Sequence, residues 1–190
     1  MKKTAMIVIL VIVVIVAVIG FSLVGTYNRL ATARENVDNS FGNIQTQLQR
    51  RADLIPNLVE TVKGYAAHES EVMQAVSDAR AKLAGAQTPE EMAQADGELT
   101  GALSRLLMVA ENYPDLKADA TFTSLMDELA GTENRIAVAR TDYNEVVRQY
   151  NSMLVRFPQN LVAAMFGFEK GAYFEAQEGA EDAPAVDFSE

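Results

Sequence analysis

The sequence predicts an all-α membrane protein: an N-terminal transmembrane helix followed by an antiparallel four-helix up-and-down bundle, with three long helices as the alternative. Three observations carry this. Residues 4–25 hold no charge. Apolar residues after Leu30 recur at alternating steps of four and three, a 3.5-residue period that belongs to packed helices. No stretch shows the two-residue alternation of a strand, although Pro184-Ala185-Val186-Asp187-Phe188 suits an extended conformation.

The uncharged run comes first. A bilayer core of about 30 Å takes roughly 20 apolar helical residues, and residues 4–25 supply them. The alternative is a secretory signal peptide with Lys2-Lys3 as its basic start. Such a peptide has an apolar region of about 7–15 residues and a small-residue cleavage site. This run is longer, and its end, Val18-Ile19-Gly20-Phe21-Ser22-Leu23-Val24-Gly25, offers no such site. A retained anchor over residues 1–25 is expected.

The first seam then runs through Leu30, Arg34, Val37, Phe41, Ile44, Leu48, Arg51, Ile55, Leu58, Val62, Tyr65, Glu69, Val72, Val76, Ala79 and Leu83. Pro56 lies inside it and is expected to kink the helix rather than end it, because the seam resumes in phase at Leu58. Gly64 after Lys63 reads as a helix stop, which gives four helices. The unbroken phase through Leu83 favours one continuous helix and hence three. Thr88-Pro89-Glu90-Glu91 is a helix start: Thr88 caps, Pro89 suits the first position and Glu91 completes a capping box. The face that follows is Met92, Leu99, Leu103, Leu106 and Ala110, and the helix should stop before Pro114. The last long helix presents Phe122, Leu125, Leu129, Thr132, Ile136, Ala139, Tyr143, Val146, Tyr150, Met153 and Phe157, and Phe157-Pro158 ends it. At 1.5 Å per residue the two long helices are each about 55 Å, and this match in length also favours four helices.

The domain organisation expected is therefore an anchor over 1–25, a bundle over 26–168 and an acidic, loosely ordered tail over 169–190. Net charge is −10, and the tail alone has seven acidic residues against one basic. No basic stripe exists, so nucleic acid is not an expected partner. The chain has no cysteine and one histidine, His68, which reads as a surface or capping group. A cysteine nucleophile and a thiolate or His-rich metal site are excluded.

Three stretches resemble a known family. They are Gln47-Leu48-Gln49-Arg50-Arg51-Ala52-Asp53-Leu54-Ile55-Pro56-Asn57-Leu58-Val59, Glu111-Asn112-Tyr113-Pro114-Asp115-Leu116-Lys117-Ala118 and Thr132-Glu133-Asn134-Arg135-Ile136-Ala137-Val138-Ala139-Arg140-Thr141-Asp142-Tyr143-Asn144. Together with the anchor and Phe157-Pro158 they are similar to the LemA family of bacterial membrane proteins. The resemblance implies a single-pass protein with an antiparallel helical bundle. It implies no reaction.

Arg51, Asp53, Asn57, Glu111, Asn112, Tyr113, Glu133, Asn134, Arg140, Tyr143 and Asn144 are expected to form a polar network that fixes helix register, a known use of polar seam residues. Tyr-Asn occurs at 27–28, 143–144 and 150–151, the last two one heptad apart. Phe157, Leu161, Met165, Phe166 and Phe168 form a candidate interface, with Phe157, Leu161, Met165 and Phe168 at helical spacing. It is expected at the membrane-facing end of the bundle, against lipid, a neighbouring subunit or the bundle's own base. No catalytic residue, cofactor or metal is expected.

The function expected is a scaffold or adaptor acting by protein–protein contact in the bacterial cell envelope. A module that senses a ligand or envelope stress is the alternative, and an enzyme is disfavoured. The partners expected are the bilayer through residues 4–25, another protein and further copies of this chain. Lys2, Lys3 and the amino terminus precede the anchor and Arg29 and Arg34 follow it, which favours an N-terminus in the cytoplasm and a bundle outside the inner membrane.

Overall fold

In the computed structural model, which describes residues 2–175 (and side chains at 6, 7 and from 9 onward), the apolar span and the first seam are a single helix. This helix, α1, covers Lys2–Tyr65. Its first part is long and apolar enough to cross a membrane, and none of it is buried inside the protein. Ile and Val are mediocre helix formers in water. In lipid a helix is the local way to satisfy every backbone group, so the composition fits that solvent.

The remaining described elements are α2 (Ser70–Gly85), α3 (Pro89–Ala110), the single turn α4 (Pro114–Lys117), α5 (Ala120–Val155) and α6 (Gln159–Phe166). No strand occurs among the described residues. The chain therefore does break between the two parts of the first seam. The break is not at Gly64, which stays helical. It follows Tyr65, where Ala66 N–H bonds to Val62 C=O at 2.8 Å and Glu69 N–H to Ala66 C=O at 3.0 Å. Ala66 is buried, and Tyr65 donates its hydroxyl to Asp119 at 2.9 Å, so tertiary contacts hold the turn without a left-handed glycine. His68 lies exposed in this turn.

The start of α3 is as its sequence indicates. Glu91 N–H donates to Thr88 Oγ1 at 3.2 Å, and the Glu91 carboxylate accepts from the Gln87 and Thr88 N–H groups at 2.9 and 3.3 Å. Those donors, Gln87's first, hold the Glu91 carboxyl below its usual pKa. Asp119 plays the capping role for α5, accepting from Phe122 N–H at 2.9 Å. At the far end Gly167, at φ 71°, closes α6 in the left-handed conformation, and Phe168 N–H reaches back to Ala163 C=O at 3.0 Å. Phe168 is thus outside the helix, not a fourth turn of it as its spacing suggested. The Phe157–Pro158 peptide is cis.

The described chain forms two compact units. One holds residues 2–40 and 145–171, the other 41–144 and 172–175. The first has a core of Leu30, Val37, Val147, Tyr150, Leu154, Val162 and Ala163. The second buries Ile44, Leu48, Ile55, Leu58 and Val62 of α1 with Val76 and Leu83 of α2, Leu99 and Leu106 of α3, Leu116, and Phe122, Leu129 and Ile136 of α5. The α5 seam departs from the heptad past Tyr143: Val147 and Leu154 are buried where Val146 and Met153 were expected. A straight helix drifts about 20° per heptad from a 3.5-residue repeat, so a four-residue step takes over.

Pro56 explains one cross-helix contact. With no N–H it leaves the C=O of Ala52, four residues earlier, without a helical donor. Arg80 of α2 supplies one: its Nε donates to Ala52 C=O at 2.8 Å. Arg80→Met should cost about 1–3 kcal/mol through the orphaned carbonyl. In a Pro56→Ala background, where residue 56 recovers an N–H, the same change should cost much less. Chemical denaturation of the four proteins of this cycle measures the coupling, and equal costs in both backgrounds would refute the assignment.

Candidate functional site

Two polar constructions stand out, the first within the second unit and the other with one half in each unit. The first is built around Arg51, whose side chain is 5% exposed on the inner face of α1. Its Nη1 lies 2.6 Å from Asp96 Oδ1 of α3 and 2.8 Å from Glu133 Oε2 of α5, and Nη2 donates to Thr100 at 3.1 Å. Thr100 in turn donates to Asp96 C=O at 2.9 Å. One cation therefore ties three helices. Asp96 is as buried as Arg51, whereas Glu133 is half exposed. Burial raises the Asp96 carboxyl above its usual 3.8; Arg51 opposes the shift and the Glu133 charge reinforces it. Arg51 Nε is buried without a partner. Arg51, Thr100 and Glu133 of this cluster themselves line a cleft of about 270 Å³, together with Leu58, Leu103, Leu107, Met126 and Leu129.

The second construction uses the repeated Tyr-Asn pairs of α5. In the first unit, Tyr150 donates its hydroxyl to Glu169 C=O at 2.9 Å. The Asn151 amide there both donates to Gly171 C=O (2.9 Å) and accepts from Gly171 N–H (2.8 Å). In the second unit Tyr143 donates to Ala172 C=O at 2.8 Å, and Asn144 pairs with Phe174 C=O and N–H at 3.0 and 2.9 Å. Each asparagine thus offers the extended backbone the donor and acceptor that a neighbouring strand would offer. The spacing follows from geometry. One heptad of helix advances about 10.5 Å, and three extended residues advance about 10 Å. Pairs seven apart on the helix therefore meet the same backbone groups three residues apart, at 169 and 172 and at 171 and 174. Phe174 is buried, with the Arg140 guanidinium 5.0 Å from its ring centre and Arg140 Nη2 donating to Glu175 C=O at 3.3 Å.

These contacts correct the expectation of a tail loose from Glu169. Residues 169–175 are held along α5 by backbone recognition, which composition does not register. Residues 176–190, including the possible extended segment 184–188, lie outside the described residues.

The expected network is not one connected set. Arg51 and Glu133 meet, Arg140 and Asn144 meet at Phe174, and Tyr143 bonds to Ala172 two residues earlier. Asp53 faces solvent and accepts from Gln49 at 2.7 Å. Asn57, Asn112 and Asn134 are exposed, and Glu111 pairs with Lys117 at 2.6 Å. Tyr113 donates to Glu69 at 3.4 Å near the α3–α5 connection. Sequence reasoning missed Asp96, Thr100 and Phe174, and it noted the Tyr150-Asn151 pair without placing it in the network. Asp96 had a signal: Met92, Asp96, Leu99, Leu103, Leu106 and Ala110 step by four and three, so Asp96 fills the gap in the α3 seam. Of the candidate interface, Phe157, Leu161, Met165 and Phe166 are exposed, and Phe166 and Phe168 pack their rings on Tyr27.

These features define an all-helical protein with an apolar N-terminal helix and internal polar clamps. The chain belongs to the LemA family, whose model matches residues 40–188. That range includes the Arg51 cluster, both α5 Tyr-Asn pairs and the segment they hold. The chain is similar to magnetosome protein MamQ 2 of Paramagnetospirillum magneticum, at 29% identity over 87% of this chain and 70% of that protein. It is also similar to magnetosome protein MamQ of Magnetospirillum gryphiswaldense (27% identity, 87% and 70%) and to protein LemA of Metamycoplasma hominis (27%, 83% and 73%).

Arg51→Ala should leave Asp96 buried and uncompensated, costing about 3–5 kcal/mol, whereas Arg51→Met with Asp96→Leu should recover most of the loss. Chemical denaturation of both variants tests this; a double variant as unstable as the single one contradicts it.

Asp96 also sets a pH dependence. Its pKa is raised on folding, so the folded state binds its proton more tightly than the unfolded chain. Its stabilising contribution is full below the unfolded pKa and is lost as pH rises through the folded one. Wild type should gain stability relative to Asp96→Asn as pH falls from neutral into the acid range. Denaturation across a pH series measures the difference, and the opposite slope rules out the assignment.

Proposed function

We propose that the protein is a single-pass, membrane-anchored, antiparallel four-helix bundle that works as a scaffold or adaptor by protein–protein contact, not by catalysis. The contact pairs support the antiparallel course. As the α1 position falls from Tyr65 through Arg51 to Phe41, its partner toward and along α5 rises from Asp119 through Glu133 to Tyr143. The short connections between helices suit the same topology.

The observation that carries the functional reading is that the Arg51 cluster and the α5 Tyr-Asn pairs find most of their hydrogen-bond partners within the fold, Arg51 Nε excepted. Arg51 has its donors directed at Asp96, Glu133 and Thr100, and the α5 Tyr-Asn pairs are occupied by backbone. A cleft between α2 and α3 measures about 490 Å³ and keeps the sensing module as the second reading, whereas the cleft at Arg51, about 270 Å³, falls just below the 300–1,000 Å³ of typical ligand sites. The relatives point the same way: two are named for the magnetosome and a third carries only the family name. A platform that serves different partners fits this spread better than one fixed reaction.

The setting proposed is the bacterial inner membrane, with the bundle outside the cytoplasm and self-association as part of the function. Because the chain lacks cysteine, Ala67→Cys in the exposed turn after α1 is a clean probe. A membrane-impermeant thiol reagent should label it in intact cells whose outer membrane, where present, has been permeabilised. Labelling only after lysis reverses the orientation. Proximity labelling from the same position should mark envelope proteins, and deletion of residues 1–25 should abolish that set. An unchanged set would discard the anchored-scaffold reading.

A further inference from the structure

The helix α6 has an apolar surface that no other described residue covers. From Phe157 to Phe168 there is no charge, and α6 itself reads Gln-Asn-Leu-Val-Ala-Ala-Met-Phe. Val162 and Ala163 face inward and are buried. Leu161, Met165 and Phe166 are 52%, 68% and 57% exposed, and Phe157 just before the helix is 79% exposed. Contiguous exposed apolar surface of this kind marks an interaction site.

Its position identifies the occupant. The Phe166 ring centre is 4.9 Å from that of Tyr27 and the Phe168 centre 5.6 Å, both edge-on, within one unit of the fold. Tyr27 lies two residues past Gly25, the end of the apolar run, or about 3 Å farther along the helix, and two residues before Arg29, the next charge. The headgroup layer is about 5–8 Å thick on each side of the hydrocarbon core. A side chain in van der Waals reach of Tyr27 is therefore at headgroup depth whenever the span is in a bilayer. Aromatic rings such as Tyr27, Phe166 and Phe168 suit that depth, where one end of a side chain is apolar and the other wet.

We propose that α6 is an interfacial helix, lying along the membrane surface with Leu161, Met165 and Phe166 in the lipid headgroup layer. The proposal rests on the membrane-anchored reading and adds a second, non-spanning contact. Burial of an apolar helical face at the bilayer boundary is favourable in its own right. Exposed Arg156 before α6 and Lys170 after it provide cations near the surface, offset in part by Glu169. The Gly167 turn directs the chain from α6 onto α5 through Tyr150 and Asn151. The first unit then meets the bilayer at two places, which a single spanning helix does not provide.

The chain has no tryptophan, so single introduced tryptophans report depth directly. The full chain carrying Met165→Trp is reconstituted in phosphatidylcholine–phosphatidylglycerol vesicles whose acyl chains are brominated at a shallow or a deep position. Val14→Trp in the span and the comparably exposed Met108→Trp on α3 are the references, and Leu161→Trp is the repeat. Expected is a loss of Met165→Trp fluorescence greater with shallow than with deep bromines. Val14→Trp should be quenched best by deep bromines, and Met108→Trp by neither. If Val14→Trp is quenched and Met165→Trp and Leu161→Trp are not, the interfacial helix is refuted and the anchor stands. Blue-shifted but unquenched Met165→Trp emission places α6 against a second copy and also refutes it, as does stronger quenching by deep bromines. An unquenched Val14→Trp overturns the anchor, and the inference falls with it.

Discussion

A guanidinium with a twentieth of its side chain exposed must find counter-charge, and Arg51 of α1 finds it on two other helices. Desolvating such a group is costly, and the cost is offset only when the partners are close and well placed. Asp96 at 2.6 Å and Glu133 at 2.8 Å meet that condition, and they do so only at one relative register of α1, α3 and α5. Sliding any of the three by one turn, about 5.4 Å, separates the charges. Leu, Ile and Val seams tolerate such slips more readily, because apolar contact has no direction. The ion cluster therefore selects among packings that the hydrophobic effect alone leaves close in energy.

The same logic of an unmet backbone or side-chain group recurs nearby. Pro56 strips Ala52 C=O of its helical donor, and Arg80 of α2 supplies one. The two arginines thus bind α1 to α2, α3 and α5 within little more than one helical turn of each other. Along α5, Tyr143-Asn144 and Tyr150-Asn151 act on a backbone instead of a charge. Their clamp depends on the near equality of a helical heptad and three extended residues. It places Phe174 in the core of the second unit, under the Arg140 guanidinium.

These features bear on function by what they leave available. Arg51, Glu133, Arg140, Tyr143 and Asn144, which stand out in the sequence, have internal partners, whereas Asn57, Asn112 and Asn134 are exposed. What remains open is surface: the uncovered apolar span, the apolar face of α6 and the exposed polar faces of the helices. The chain's membership of the LemA family, and its likeness to proteins named for the magnetosome in two organisms, fit a membrane-associated helical protein.

Periodicity and capping chemistry were sufficient for the local structure. The uncharged run, the heptads of α1 and α5, the Thr88–Glu91 capping box and the stop before Pro114 are short-range signals, because each depends on residues within a turn or two. Arg51 stood out for the same reason, as a charge in an apolar seam, and Asp96 was legible in the same way had the α3 seam been followed through it. What only the tertiary structure decided was pairing between distant residues. Tyr65 with Asp119 ends α1 where the heptad phase runs on. Arg80 answers Pro56 from 24 residues away, and an acidic segment of loop-like composition is held by two tyrosines and two asparagines. The sequence by itself determined which residues need partners, since that is a property of each side chain and its neighbours. Which partner meets each need depends on distances across the fold, and no local pattern encodes those.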